Sequence, residues 1–316
     1  MSNLSVRSLV ALAAIPLFLL AAYTGGWWFI VLLLAISVIG LDEFYRLASA
    51  KGASPNRVAG LLFGVCLCLL FAHARLFDLV GGVIVASGWV IPLPSMGQMF
   101  LIIMLLFAVI VPAAELFRSR PSPIRNIGAT MFGVLYVSLF LGSLIGLREI
   151  FVPEEFPVTR HFGFHGLSVP EVVTRQIDLW GGMTLCTVLG AIWVCDSAAY
   201  FAGRAFGRRK LWVRVSPNKT WEGAVAGFLA SVALFLVAQA TVVPYLSVSE
   251  AVLSGCIIGI FGQIGDLAES LFKRDAGLKD SSTLIPGHGG VLDRFDSLLF
   301  VSPLLFLYYD FIIMAR

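Results

Sequence analysis

Between Gly265 and Ser297 the chain reads GDLAESLFKRDAGLKDSSTLIPGHGGVLDRFDS, a stretch rich in the side chains that phosphate chemistry uses. Asp266, Glu269 and Lys273 fall at i, i+3 and i+7, on one face of a helix. Ser270 stands four residues after Asp266, and Asp293, Arg294 and Asp296 open the next apolar run. Carboxylates on rigid helix ends can hold Mg2+, which keeps several waters and completes its shell from substrate phosphates. Lys273, Arg274, Lys279 and Arg294 can neutralise phosphate charge, and the glycines of PGHGG let backbone N–H groups approach it. Nucleotidyl transfer asks the protein mainly for positioning and electrostatic stabilisation, so a metal plus cations is a sufficient kit. His288 is a further candidate, as general acid or phosphate donor. The alternative is a solvated helix cap with Glu269 and Lys273 as an i,i+4 pair. That alternative leaves the acids at membrane-entering positions, beside PGHGG, without a reason.

The elements that must position these residues are membrane helices. The chain has 316 residues, 59% hydrophobic and 13% charged. A soluble domain carries about 25% charged residues, so the lipid bilayer is the solvent for most of this surface. Apolar runs long enough to cross lie at 8–24, 26–42, 57–73, 97–116, 127–147, 179–202, 222–243, 250–272 and 296–314. The run 76–93 is interrupted by Gly81, Gly82 and Gly88, and we read it as interfacial or re-entrant. Arg7 and Leu9 to Ala22 have the look of a signal peptide. The next apolar run, Trp27 to Leu41, follows with no clear small-x-small cleavage site, which predicts a retained hairpin.

Basic residues orient the spans. The stretch 203–221 carries Arg204, Arg208, Arg209, Lys210, Arg214 and Lys219 without an acid until Glu222, so it belongs in the cytoplasm. Counting back predicts nine spans with a cytoplasmic N-terminus, an all-α polytopic bundle. We divide it into N-terminal membrane helices, 1–126, and a catalytic membrane domain, 127–316, whose site faces the cytoplasm across the inner membrane. Cys66, Cys68, Cys186, Cys195 and Cys256 all lie in apolar runs and read as small hydrophobes, not as disulfides or a zinc site. His161 and His165 have no partner spacing. The formal charge is only +3, and no nucleic-acid partner is expected. A homodimer is compatible with the sequence.

Two further segments join the first. VRVSPNKTWEG places Ser216, Lys219, Thr220 and Glu222 at a helix start, either a simple cap or an anion site at the helix N-terminus. DSAAYFAGRAFGRR puts Asp196 near a cytoplasmic helix end, in the same cavity or in a helix–helix hydrogen bond.

SLFKRDAGLKDSSTLIPGHGGVLDRFD resembles the C-terminal motif of phosphatidate cytidylyltransferases (CDP-diacylglycerol synthases). Ser270, Lys273, Arg274, Lys279, Asp280, Pro286, His288, Gly289, Gly290, Asp293, Arg294 and Asp296 all fall in place. SPNKTWEG and the Asp196 segment are similar to two further family segments, with Asn218 where many members have Lys. The resemblance covers the C-terminal 130 residues or so strongly. It implies that CTP and phosphatidate give CDP-diacylglycerol and pyrophosphate. It implies Mg2+ held by Asp266 and Asp293, with a second, monovalent cation such as K+ beside it. Lys273, Arg274, His288 and Asp296 are then catalytic, and Ser216, Lys219, Thr220, Glu222, Lys279, Arg294 and Asp196 are substrate contacts. Competing readings are a CTP-dependent polyisoprenol or phytol kinase and an ion-coupled transporter using the intramembrane acids. The full motif argues against the first. The absence of repeats and the gathering of acids on one side argue against the second.

Overall fold

The computed structural model describes residues 3–87, 94–163, 169–285 and 289–315. In lipid, backbone polar groups must be satisfied within each segment, and the long apolar runs accordingly form helices. Helices α1 (Asn3–Thr24) and α2 (Gly26–Ala50) form the first hairpin. They are followed by α3 (Arg57–Leu70), α4 (His73–Ser87) and α5 (Met96–Leu116). A π-helical segment, Val134–Leu139, joins α6 (Pro123–Gly133) to α7 (Phe140–Glu149) in one continuous span. The short α8 (Val158–Phe162) precedes α9 (Glu171–Phe206), which is 36 residues long. Next come β1 (Lys210–Trp212), β2 (Ser216–Thr220) and α10 (Trp221–Thr241). A second π segment, Ile258–Gly262, fuses α11 (Val248–Ile257) to α12 (Gln263–Asp275), and α13 (Leu292–Tyr308) ends in a third, Tyr309–Ile313.

The all-α membrane bundle is as expected. Among the described residues seven helices are long and apolar enough to cross a membrane, or eight if the bent pair α3–α4 is one span, against the nine predicted. The difference lies near the N-terminus, where two expected spans fall outside the seven: 8–24, of which Leu12–Thr24 counts only as a shorter apolar helix, and 57–73. Helix α3 has 14 residues, about 21 Å at 1.5 Å per residue, too short alone for a hydrocarbon core of about 30 Å. It then turns through 86° into His73–Val80. The expected span 57–73 is thus half of a broken or re-entrant pair with the segment that follows, part of which, 88–93, lies outside the described residues. A second departure is the antiparallel hairpin β1–β2, with Lys210 opposite Thr220. Ser216 and Lys219, expected at a helix start, lie inside β2, and the helix begins at Trp221 with Thr220 as its N-cap.

The span Pro123–Glu149 is the centre of the bundle, 72% of its apolar window being buried, whereas Met96–Leu116 is peripheral at 17%. Below the polar segment, Phe44 of α2, Phe132 of α6, Tyr136 of the π segment, Phe272 of α12 and Phe300 of α13 interlock. Phe132 stacks on Tyr136 at 5.7 Å, and Tyr136 meets Phe272 edge-on at 5.3 Å. Edge-to-face and offset contacts of this kind add to plain burial, and they clamp α12 and α13 against the N-terminal helices.

Far along the same span, Arg148 is buried to 1% exposure. It donates to Asp178 at 2.5 Å and to the Tyr23 carbonyl at 3.4 Å, so α7, α9 and the end of α1 are tied together. Arg148→Ala leaves a large hole among these helices and is expected to destabilise by about 2–4 kcal/mol, read as a lower unfolding temperature in detergent. Because the pin is remote from the acid-rich segment, specific activity of the surviving folded fraction should be retained.

Candidate active site

Three chain segments meet at one end of the bundle. Lys219, at the end of β2, forms an ion pair with Asp266 Oδ2 at 2.6 Å. The β-hairpin makes this contact possible: it folds the basic segment back over α12 before α10 departs. Ser270, one turn on, donates to Asp266 Oδ1 at 3.4 Å. Asp296 of α13 and Asp196 of α9 lie near enough for their charges to repel that of Asp266, while Lys219 offsets Asp196. Asp196, Lys219, Asp266 and Asp296 therefore gather at one place, close enough for their charges to interact.

Beside it, Lys273 bridges two acids. Its ammonium forms an ion pair with the fully buried Glu269 one turn earlier and meets Asp293 Oδ1 at 2.6 Å. Asp293 Oδ2 accepts from the Ser281 amide at 2.8 Å, the Ser281 hydroxyl at 2.9 Å and the Gly290 amide at 2.7 Å. The glycines at the end of the loop serve this packing. Gly289 has φ +85°, and a Cβ there would come 2.6 Å from Asp293 Oδ2. A Cβ on Gly290 would come 2.0 Å from Ser281 Oγ. Pro286, Gly287 and His288 lie outside the described residues.

Other predicted contacts sit further out or hold the backbone. Arg274, Lys279 and Arg294 are exposed, and Arg274 reaches the Leu278 carbonyl at 3.5 Å. Thr220 accepts from the Gly223 amide at 3.2 Å and caps α10. Glu222 accepts from the Arg208 and Arg209 amides at 3.1 and 3.2 Å, which shapes the basic turn. Ser216 is half-buried in β2. The solvated-cap alternative for Glu269 and Lys273 fails: the pair is inside the bundle, where Lys273 serves Asp293 as well. His161 packs among Phe156, Trp180 and Tyr245; burial, with Arg160 nearby, lowers its pKa, as suits a packing residue.

Sequence reasoning missed Glu43. It lies on α2, among the N-terminal membrane helices, and is 2% exposed. Its carboxylate reaches across to the start of α13 and to the serines after α12. The available signal was an acid inside the apolar run 26–42 and its immediate end, a position where charge is costly unless it has a task.

The donor set suits a hard divalent cation. Asp196, Asp266, Asp293 and Asp296 carry carboxylate oxygens, and Asp266 and Asp293 each pair with a lysine ammonium. Tyr136 Oη, Glu269 Oε1 and Ser297 Oγ are buried without a hydrogen-bond partner among the described residues, while Glu269 Oε2 is taken by Lys273. No three His, Cys, Asp or Glu side chains among the described residues are gathered at ligand distance from a common point. For Mg2+ that is no obstacle, since one or two carboxylates plus substrate phosphates and water complete its shell.

The model of the cytidylyltransferase family matches residues 5–312. A phosphatidate cytidylyltransferase of Bacillus subtilis is 29% identical over 309 residues, 97% of each chain. One from Synechocystis is 30% identical over 308 residues, 95% of this chain and 94% of the other. One from Staphylococcus epidermidis is 49% identical over 114 residues, 36% of this chain and 44% of its own.

Proposed function

Because the chain belongs to the cytidylyltransferase family over almost its whole length, we infer that it joins CTP and phosphatidate into CDP-diacylglycerol, releasing pyrophosphate. In this reading a phosphatidate phosphate oxygen attacks the α-phosphorus of CTP, and the bond from that phosphorus to the α,β-bridging oxygen breaks, so that this oxygen leaves as a terminal oxygen of pyrophosphate. A phosphate monoester is largely dianionic at neutral pH, so the attack needs no strong base. The observation that carries the reading is the pairing of Lys219 with Asp266 and of Lys273 with Asp293, which brings acids and cations of distant segments together at one end of the bundle.

Asp266 and Asp293 are the residues we assign to the divalent cation, Mg2+, with Asp196 and Asp296 adding negative potential beside them. When bound, it neutralises phosphate charge and favours departure of pyrophosphate. Lys219 and Lys273, released from their carboxylate partners, stay within reach of the reacting phosphates. Arg274, Lys279 and Arg294, exposed near the same end, draw the nucleotide in. Thr220 and Glu222 keep the basic turn over the site. Omitting K+ from an assay that contains Mg2+ tests for the second, monovalent cation.

The basic stretch 203–221 and the acid cluster lie at the same end of the bundle, since Lys219 belongs to both. This supports a site on the cytoplasmic face of the inner membrane, where CTP is available and the lipid headgroup lies at the interface. Purified protein given phosphatidate, Mg2+ and CTP labelled at the α-phosphate is expected to place label in lipid. Label entering lipid only from γ-labelled CTP would mean a lipid kinase instead. Ion flux in liposomes without any CTP-dependent lipid product would mean a transporter.

A further inference from the structure

The carboxylate of Glu43 accepts four hydrogen bonds, all from the far end of the chain. Oε1 takes the Ser282 hydroxyl at 2.6 Å and the Val291 amide at 3.0 Å. Oε2 takes the Ser281 hydroxyl at 3.0 Å and the Leu292 amide at 2.9 Å. Val291 and Leu292 begin α13, where the first backbone amides have no partner within their own helix. An acid placed there satisfies two of these amides and complements the positive end of the helix dipole. Usually a cap comes from the residue just before the helix; here it is delivered from another span. Gly290 allows it, for a Cβ there would lie 2.5 Å from Oε2.

The same contacts lead directly to Asp293. The Ser281 hydroxyl is within hydrogen-bond distance of both Glu43 Oε2 and Asp293 Oδ2, yet carries one proton. Asp293 also accepts from the Gly290 amide, next to the first amide that Glu43 holds. Glu43 thus fixes the loop end and the helix start that together aim the Asp293 carboxylate.

We propose that Glu43 is a positioning residue for the active site: through Ser281, Ser282 and the first amides of α13 it holds Asp293 in its working orientation. The proposal rests on the reading of Asp293 as part of the reaction centre. An N-terminal helix is then part of the catalytic apparatus, and α2 cannot shift without disturbing the acid cluster.

Glu43→Gln tests this with little change of shape. Each carboxylate oxygen accepts from one backbone amide, so either orientation of the glutamine amide turns an NH2 group against an N–H. The expected result is a 10–100-fold loss of kcat, the usual range for partners that orient metal-ligating side chains, with KM for phosphatidate little changed and a higher Mg2+ concentration needed for half-maximal rate. Independently of turnover, hydrogen exchange of the amides in 281–285 and 289–292 is expected to accelerate. Ser281→Ala removes only the bridge and is expected to lower kcat while leaving exchange at Val291 and Leu292 slow, which keeps the test usable should Glu43→Gln fail to fold. Asp42→Asn is the neighbouring control: Asp42 pairs outward with Arg46 at 2.7 Å and Arg57 at 2.9 Å, and activity should not change. Wild-type kcat and Mg2+ dependence in folded Glu43→Gln, or in Ser281→Ala, with Asp293→Asn inactive, overturns the role of Glu43 alone. Activity surviving in Asp293→Asn overturns the reading of the site on which it rests.

Discussion

Asparagine in place of Asp266 will lower CDP-diacylglycerol formation by about 10^3-fold or more, equivalent to about 4 kcal/mol of transition-state stabilisation. The substitution keeps the volume and the Ser270 contact but removes the charge that holds Lys219 and, in our assignment, the divalent cation. Asp266 is partly open, its side chain 33% exposed, so the protein should still insert and remain monodisperse in detergent. Asp293→Asn is expected to lose as much activity for two reasons at once. It gives up a negative charge, and whichever way its amide lies, one end faces donors: Lys273 on one side, the Ser281 and Gly290 amides on the other. Hydrogen exchange separates the two variants, because only Asp293→Asn should loosen residues 281–285 and 289–291. Lipid mass analysis of product formed from phosphatidate and CTP is the direct readout. More than about a tenth of wild-type turnover in either folded variant would remove that carboxylate from the metal assignment.

Lys273→Met is expected to damage both stability and catalysis. The Lys273 side chain is 12% exposed, while the side chains of Glu269 and Asp293 that share its ammonium are 1% and 4% exposed. Removing one member of a buried ionic group strands the others, a loss of about 3–5 kcal/mol. Thermal unfolding in detergent should therefore fall clearly, and turnover should fall by about 10^2-fold or more as a cation near the phosphates disappears. The double variant Lys273→Met, Glu269→Gln separates these effects. Neutralising Glu269 removes one stranded charge, so part of the lost stability should return while activity does not. Recovery of both together would mean that Lys273 is a structural counter-ion only.

A face with Asp266, Glu269 and Lys273 follows from helical periodicity, and the structure keeps all three on α12 in that order. The excess of apolar residues sufficed for a helical membrane bundle, because lipid leaves the backbone few other solutions. The break between α3 and α4 was harder. Both runs are apolar, and composition has no term for the angle between them; packing against the rest of the bundle sets that 86° turn. The hairpin β1–β2 was overlooked for a similar reason. Ser-Pro ahead of an apolar run is a fair helix-start signal, and only the pairing of Lys210 with Thr220 shows the chain turning back first.

The acids and cations of the C-terminal segments are determined by the sequence itself, since their spacing within each segment needs only local geometry. Which of them meet was decided by the tertiary structure. Lys219 reaches Asp266 because a hairpin carries it there, and Lys273 joins Glu269 to Asp293 because α12 and α13 pack side by side. Glu43 is the limiting case. Its partner Ser281 lies 238 residues along the chain, beyond any periodicity, and its worth depends on free amides that exist only once α13 has formed. A buried charge in an apolar helix announces that a partner is required; the fold alone says where that partner is.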